Sequence, residues 1–171
     1  RLIMIHPMLK ILVILLMAIL FYEDIRHRSI SILWIAAALL GVLALSHIES
    51  RLNLINIILN LAFVMVQVAF TSLYLLLKGK QIKNIFKDYI GLGDVAFWII
   101  PVFYLDPIIY VFYVLLCYLS ALIIFGTVMA AKKKSITIPL AGSMALVFGL
   151  YIVCEWCGVN FSLWANSLII Q

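Results

Sequence analysis

Apolar positions along the chain gather into long runs divided by short polar clusters, and runs near twenty residues are what a helix needs to cross a bilayer. The first run extends from about Leu2 or Pro7 to about Asp24, with Ile11 to Tyr22 as its unbroken body and Lys10 expected to snorkel to one interface. The chain opens with Arg1, and this run carries no small-residue cleavage pattern, so it reads as a retained helix and not a removed signal peptide. A turn, Arg26-His27-Arg28-Ser29, leads to a second run, about Ile30 to Leu45, closed by the polar cluster Ser46 to Arg51. The third covers about Leu54 to Leu77, with Asn56, Asn60 and Gln67 as polar groups able to bond across helices. From Lys78 to Ile90 the period changes. Ile82, Ile85, Phe86, Tyr89 and Ile90 recur at helical spacing against Lys80, Lys83, Asn84 and Lys87, which predicts a helix lying in the interface.

The fourth run is short, because Pro101 lies within it and Asp106-Pro107 ends it. A helix from Gly91 to Leu105 reaches roughly 22 Å, against a hydrocarbon core of about 30 Å. Either the bilayer thins there or the turn Gly91-Leu92-Gly93-Asp94 is submerged, which irregular backbone tolerates only under cover of protein or a wet cavity. The fifth run, about Pro107 to Ala131, is stopped by Lys132-Lys133-Lys134; the sixth is about Ile136 to Cys154, entered through Pro139 and softened by Gly142 and Gly149. The tail from Val159 to Gln171 is too short to span and has no assigned place.

Composition turns these runs into a fold class. With 67% hydrophobic and 11% charged residues in 171, the pattern predicts an all-α polytopic membrane protein, one transmembrane domain over 1–171 with about six spanning helices and an amphipathic loop over about 78–90. A net charge of +5 would suggest nucleic acid only if it formed one patch. Instead nine of the 12 basic residues fall on the loops 23–29, 78–93 and 132–135, which six spans place on one side of the membrane. The positive-inside rule makes that side cytoplasmic and both termini external, and charge spread over three loops leaves no single patch for a nucleic-acid partner.

Candidate chemistry then narrows to two acids. Asp94 follows a glycine turn at the edge of an apolar segment, and Asp24 sits at the matching end of the first run. An ionisable residue there is costly unless it faces protein or water, so its default reading is functional. Gly91 and Gly93 remove the Cβ clashes that would resist a sharp bend or close packing beside Asp94. Two carboxylates brought close in a desolvated site share a proton. The ionised member takes a proton from water while the protonated member supplies one to the scissile carbonyl or the leaving amine. That is peptide hydrolysis without a covalent intermediate, metal or other cofactor. The sequence assigns neither acid its role, since a coupled pair titrates as a unit.

The other acids read more simply. Glu23 points to a different helical face from Asp24, Asp88 lies in the amphipathic loop, and Glu49, Asp106 and Glu155 belong to the opposite side, Asp106 as a turn or helix-start residue before Pro107. Arg26 and Arg28 are possible ion partners of Asp24, His27 is solvated among them, and His6 and His47 fall on the outer side. Cys154 and Cys157 have C-x-x-C spacing without a second pair, so they and Cys117 read as buried small residues and not a zinc site. Trp34, Trp98, Trp156 and Trp164 suit core packing and interface belts.

These motifs resemble a known family. Gly91-Leu92-Gly93-Asp94-Val95 is similar to the GxGD signature of type IV prepilin peptidases, membrane aspartic proteases of bacteria with preflagellin-cleaving relatives in archaea. Asp24-Ile25-Arg26-His27-Arg28-Ser29-Ile30 resembles that family's other aspartate segment, and Ile138-Pro139-Leu140-Ala141-Gly142 its late Ile-Pro-Phe-Gly-Pro stretch, in the family's order. The resemblance implies that Asp24 and Asp94 are the catalytic dyad. It implies a substrate too, the basic leader of a prepilin or pseudopilin cut at the cytoplasmic face of the bacterial inner membrane, for a type IV pilus or secretion machine. Ser31-Ile32 departs from the usual Pro-Asn, and Ala96 from the lysine that often follows GxGDV. The larger members also methylate the new N-terminus and carry paired C-x-x-C motifs, so the resemblance here is to a minimal, peptidase-only form. Two alternatives stand beside it. One is another GxGD intramembrane protease similar to presenilin or signal peptide peptidase; the other is a non-enzymatic transport or assembly subunit whose acids handle ions or hold helices together.

Overall fold

The structure, a computed structural model, describes residues 2–27, 30–77, 92–132 and 140–159. Six α-helices and a single 3-10 turn account for most of these residues, and no strand occurs among them. The helices are α1 (Leu2–His27), α2 (Ile32–Ile48), α3 (Leu54–Leu77), α4 (Leu92–Ile99), α5 (Pro107–Lys132) and α6 (Leu140–Trp156), with the 3-10 turn Ile100–Phe103 following α4. The amphipathic stretch 78–90, Gly91, Arg28, Ser29, Lys133, Lys134, Ile138, Pro139 and the tail beyond Val159 lie outside the described residues.

The core follows from helical spacing. On α1 the buried positions are Lys10, Val13, Leu16, Met17, Leu20 and Asp24, one stripe at intervals of three and four. On α6 they are Ala141, Gly142, Ser143, Met144, Ala145, Phe148, Gly149 and Ile152. The two stripes meet antiparallel, because Asp24 lies against Gly142 while the Met17 Cβ is 3.4 Å from where a Cβ on Gly149 would sit. Small residues let the two helices approach closely. α2 crosses the other flank of α1, where a Cβ on Gly41 would come within 3.2 Å of Val13. α3 and α5 are more peripheral. Outward they turn Ile58, Met65, Phe70 and Leu73, and Leu115, Leu119, Leu122 and Ile123. The segments Leu54–Tyr74 and Pro107–Ile124 are long and apolar enough to cross a membrane.

The third and fifth runs become helices at nearly the expected bounds. The fourth does not stay one helix: α4 stops at Ile99 and the chain tightens into the 3-10 turn. Pro101 has no N–H for the helical ladder, and its ring clashes with the preceding turn. α5 restarts with Pro107 in its first turn, and the Asp106 carbonyl accepts the Tyr110 N–H at 2.8 Å, the expected helix-start role.

Candidate functional site

The stripe that buries α1 carries Asp24 to the end of the helix and turns it inward, leaving it 8% exposed. There it meets the first turn of α6, where backbone N–H groups have no partner within their own helix. The Gly142 N–H donates to Asp24 Oδ2 at 2.6 Å. A Cβ at position 142 would lie 2.8 Å from that oxygen and 3.1 Å from the Asp24 Cβ, so only glycine leaves room for the carboxylate to come this close.

The second acid arrives from α4. Asp94 stands in its first turn, half-buried, where a carboxylate is favoured by the unpaired N–H groups of a helix start. Its carboxylate is near enough to Tyr118 on α5 for the two to interact electrostatically. Gly93, just before it, packs against Ala141 and Ile30: a Cβ there would be 3.7 Å from the Ala141 Cβ and 3.3 Å from the Ile30 Cδ1. The end of α1, the start of α4 and the entry to α2 thus gather at one turn, Ala141-Gly142 of α6. Of the expected site residues, Asp24, Gly93 and Asp94 come to this end together, and Gly91 lies outside the described residues.

Neighbouring charges are engaged around this turn. Glu23 faces away from Asp24 as expected, and its Oε2 accepts the Ser31 N–H at 3.2 Å. Arg26 donates to the Tyr22 hydroxyl, with its guanidinium 5.6 Å from that ring's centre. Gly142 was part of a sequence motif, but nothing in the sequence marked its N–H as a ligand of Asp24. The available signal was a glycine two residues into a helix that follows a proline.

A second polar cluster fills the other end. Glu49 Oε1 accepts from His6 Nε2 at 2.7 Å and from Lys10 Nζ at 2.8 Å, while its Oε2 takes Arg51 Nε at 2.7 Å and the Tyr104 hydroxyl at 2.8 Å. Arg51 also pairs with Glu155 and lies over the Tyr104 ring, 4.5 Å from its centre. Lys10 corrects the expectation of snorkelling. Its side chain is 7% exposed, held inside by a carboxylate at its own height. Burial works to raise the Glu49 carboxyl, but Lys10, His6, Tyr104 and Arg51 outweigh it and hold it below the ordinary value. Glu49 and Glu155 lie away from Asp24 as expected, and Asp106 accepts the Asn56 amide at 2.9 Å. The cysteines are free thiols, Cys117 buried, Cys154 half-buried and Cys157 exposed. Comparison of the chain with protein-family models, with curated proteins and with solved structures finds no match in any of the three.

Proposed function

We propose that the chain is a six-span aspartic endopeptidase of the cytoplasmic membrane, in which Asp24 and Asp94 hydrolyse a peptide bond in the basic leader of a prepilin or pseudopilin. One observation carries the reading: two acids seventy residues apart in sequence come to the same end of the bundle, the Asp24 carboxylate held by the Gly142 N–H and Asp94 following directly on Gly93, which packs against Ala141 of the same turn. The ordered motifs around Asp24, Asp94 and Ile138 to Gly142 support the substrate class. The two long apolar helices and the outward apolar faces of α3 and α5 support the bilayer as surroundings. Basic loops at the acid end support a cytoplasmic orientation.

The reaction needs a water and one proton shared by the pair. As a water oxygen bonds to the scissile carbonyl carbon, its proton passes to the ionised carboxylate, and the carbonyl oxygen takes the proton of the other acid. When the diol collapses, the C–N bond breaks, the amine takes the proton held by the first acid, and a diol hydroxyl returns its proton to the second. The pair ends as it began. Because the leaders are basic like the loops, the acids and an apolar groove between helices must draw them in.

Co-expression with candidate prepilins tests this, with product mass as the readout for wild type, Asp24→Asn and Asp94→Asn in membranes. The expected result is cleavage by wild type and a loss of at least about 100-fold in each variant, with insertion unchanged. Undiminished cleavage in either variant, or none by wild type across the candidate prepilins, overturns it in favour of an ion-handling or assembly subunit.

A further inference from the structure

We propose that Gly142 is a positioning residue whose backbone N–H fixes Asp24 as the ionised, water-activating member of the pair and leaves Asp94 to carry the proton. The inference rests on the peptidase reading for its catalytic meaning, but its geometry stands apart from any substrate.

An N–H only donates, so Asp24 Oδ2 is the acceptor here, and a fixed donor aimed at a carboxyl oxygen favours its ionised form. The Gly142 N–H meets Asp24 Oδ2 at 2.6 Å. This contact is made at the start of α6, a helix of 17 residues whose aligned peptide dipoles favour an anion at that end. Asp24 is also the more buried of the two acids, and a buried carboxylate stays charged only where fixed donors replace water. The turn that would supply that replacement admits no side chain larger than hydrogen at position 142. Asp94 stands at a helix start as well, but on a helix of only eight residues against the 17 of α6, half-buried and within electrostatic reach of the Tyr118 phenol, so its ionised form is favoured less. Once Asp24 holds the negative charge, a second charge at the same end of the bundle is disfavoured, so the proton of the pair resides on Asp94.

The described ionisable groups at this end are Tyr22, Glu23, Arg26 and His27 on α1, Tyr74 on α3, Asp94 on α4, and Tyr118 and the closing Lys132 on α5; the first turn of α6 brings none. Glu23 and Arg26 are already bonded to the Ser31 N–H and the Tyr22 hydroxyl. In the hydrolysis above, Asp24 therefore takes the proton of the attacking water and passes it to the leaving amine. Asp94 gives its proton to the carbonyl oxygen and recovers one from the diol.

The test reads the carboxyl groups directly, by infrared titration of the full-length protein with 13C-labelled aspartate in nanodiscs. Asp94→Asn leaves Asp24 as the one acid of the pair, and Asp24→Asn leaves Asp94. The expected result is that Asp24 gains its proton at lower pH than Asp94 does. Adding Gly142→Ala, whose Cβ displaces the Asp24 oxygen, raises the Asp24 titration by about one pH unit or more and leaves that of Asp94 in place. Gly126→Ala is the control, since a Cβ there meets nothing within 4 Å. Asp24 titrating at or above Asp94 overturns the proposal without any glycine variant, as does an Asp24 titration that Gly142→Ala does not move. Neither readout requires cleavage, so a failed prepilin assay with the expected titrations would sink the peptidase reading alone.

Discussion

Gly93 and Gly142 are both pinned by close neighbours, yet the neighbours differ in how far they can yield. At Gly142 the nearest atoms are the carboxylate oxygen and Cβ of Asp24, which sit near their own backbone and are fixed by it. At Gly93 the nearest is Cδ1 of Ile30, the far end of a flexible side chain, at 3.3 Å from the added Cβ. Gly93→Ala should therefore cost only about 1 kcal/mol of stability and slow cleavage modestly, through a small displacement of Asp94. Ile30→Val removes the crowding atom itself. The pair of substitutions should recover most of what Gly93→Ala loses, as a coupling in thermal midpoint and in cleavage rate that the single variants do not sum to. Strict additivity would place the crowding elsewhere and dissolve the packing account of this turn.

At the scale of elements, the break after α4 creates a demand that α3 answers. Residues 100–105 leave carbonyls without helical donors, and the buried Asn60 amide donates to two of them, Val102 at 3.2 Å and Leu105 at 2.8 Å. Ser46 on α2 donates to a third, Phe103. These bonds hold the corner from which Tyr104 reaches Glu49 and Glu155 in the second polar cluster and α4 points back toward the acids. Asn60→Leu strands both carbonyls in an apolar setting and should destabilise by about 2–4 kcal/mol. Heating in detergent followed by size-exclusion fluorescence would show it, and a midpoint within error of wild type would mean the corner finds other donors. The helix runs were legible because apolar length and Pro101 act locally, through the chain's own backbone. Asn60 was legible as a bonding residue, though not its partners. Gly142 was hidden because its contribution is a main-chain N–H, which every residue but proline carries. Lys10 was misplaced because its partner Glu49 lies 39 positions away, and composition does not report height along a bundle.

For the whole molecule, the two polar clusters mark opposite ends of one antiparallel core. Along α1, Lys10 and Asp24 are separated by roughly 21 Å of helix axis, less than the hydrocarbon thickness of about 30 Å. In the spanning arrangement proposed above, at least one cluster lies below the membrane surface, and the ends are tied by charge where the bilayer offers no competing water. The Glu49 cluster is accordingly expected to act as a stability device. Glu49→Gln keeps the shape but leaves the buried Lys10 facing an uncharged amide, a loss of about 3 kcal/mol at neutral pH. Because the folded protein holds the Glu49 carboxyl below its ordinary value of 4.5, its contribution is fully present above that pH and is lost as pH falls through the lower folded value. Titration of Glu155 is common to both proteins, so it largely cancels in their difference. Thermal midpoints of wild type and Glu49→Gln should thus lie well apart at neutral pH and draw together only below pH 4.5, as the pH falls through the lowered folded value. A gap that stays constant into acid would assign the loss to packing instead of charge. Cleavage per folded molecule should be unchanged by Glu49→Gln, since the cluster touches the acid pair only through two helix lengths; a fall in that rate would mean that the two ends of the bundle are coupled.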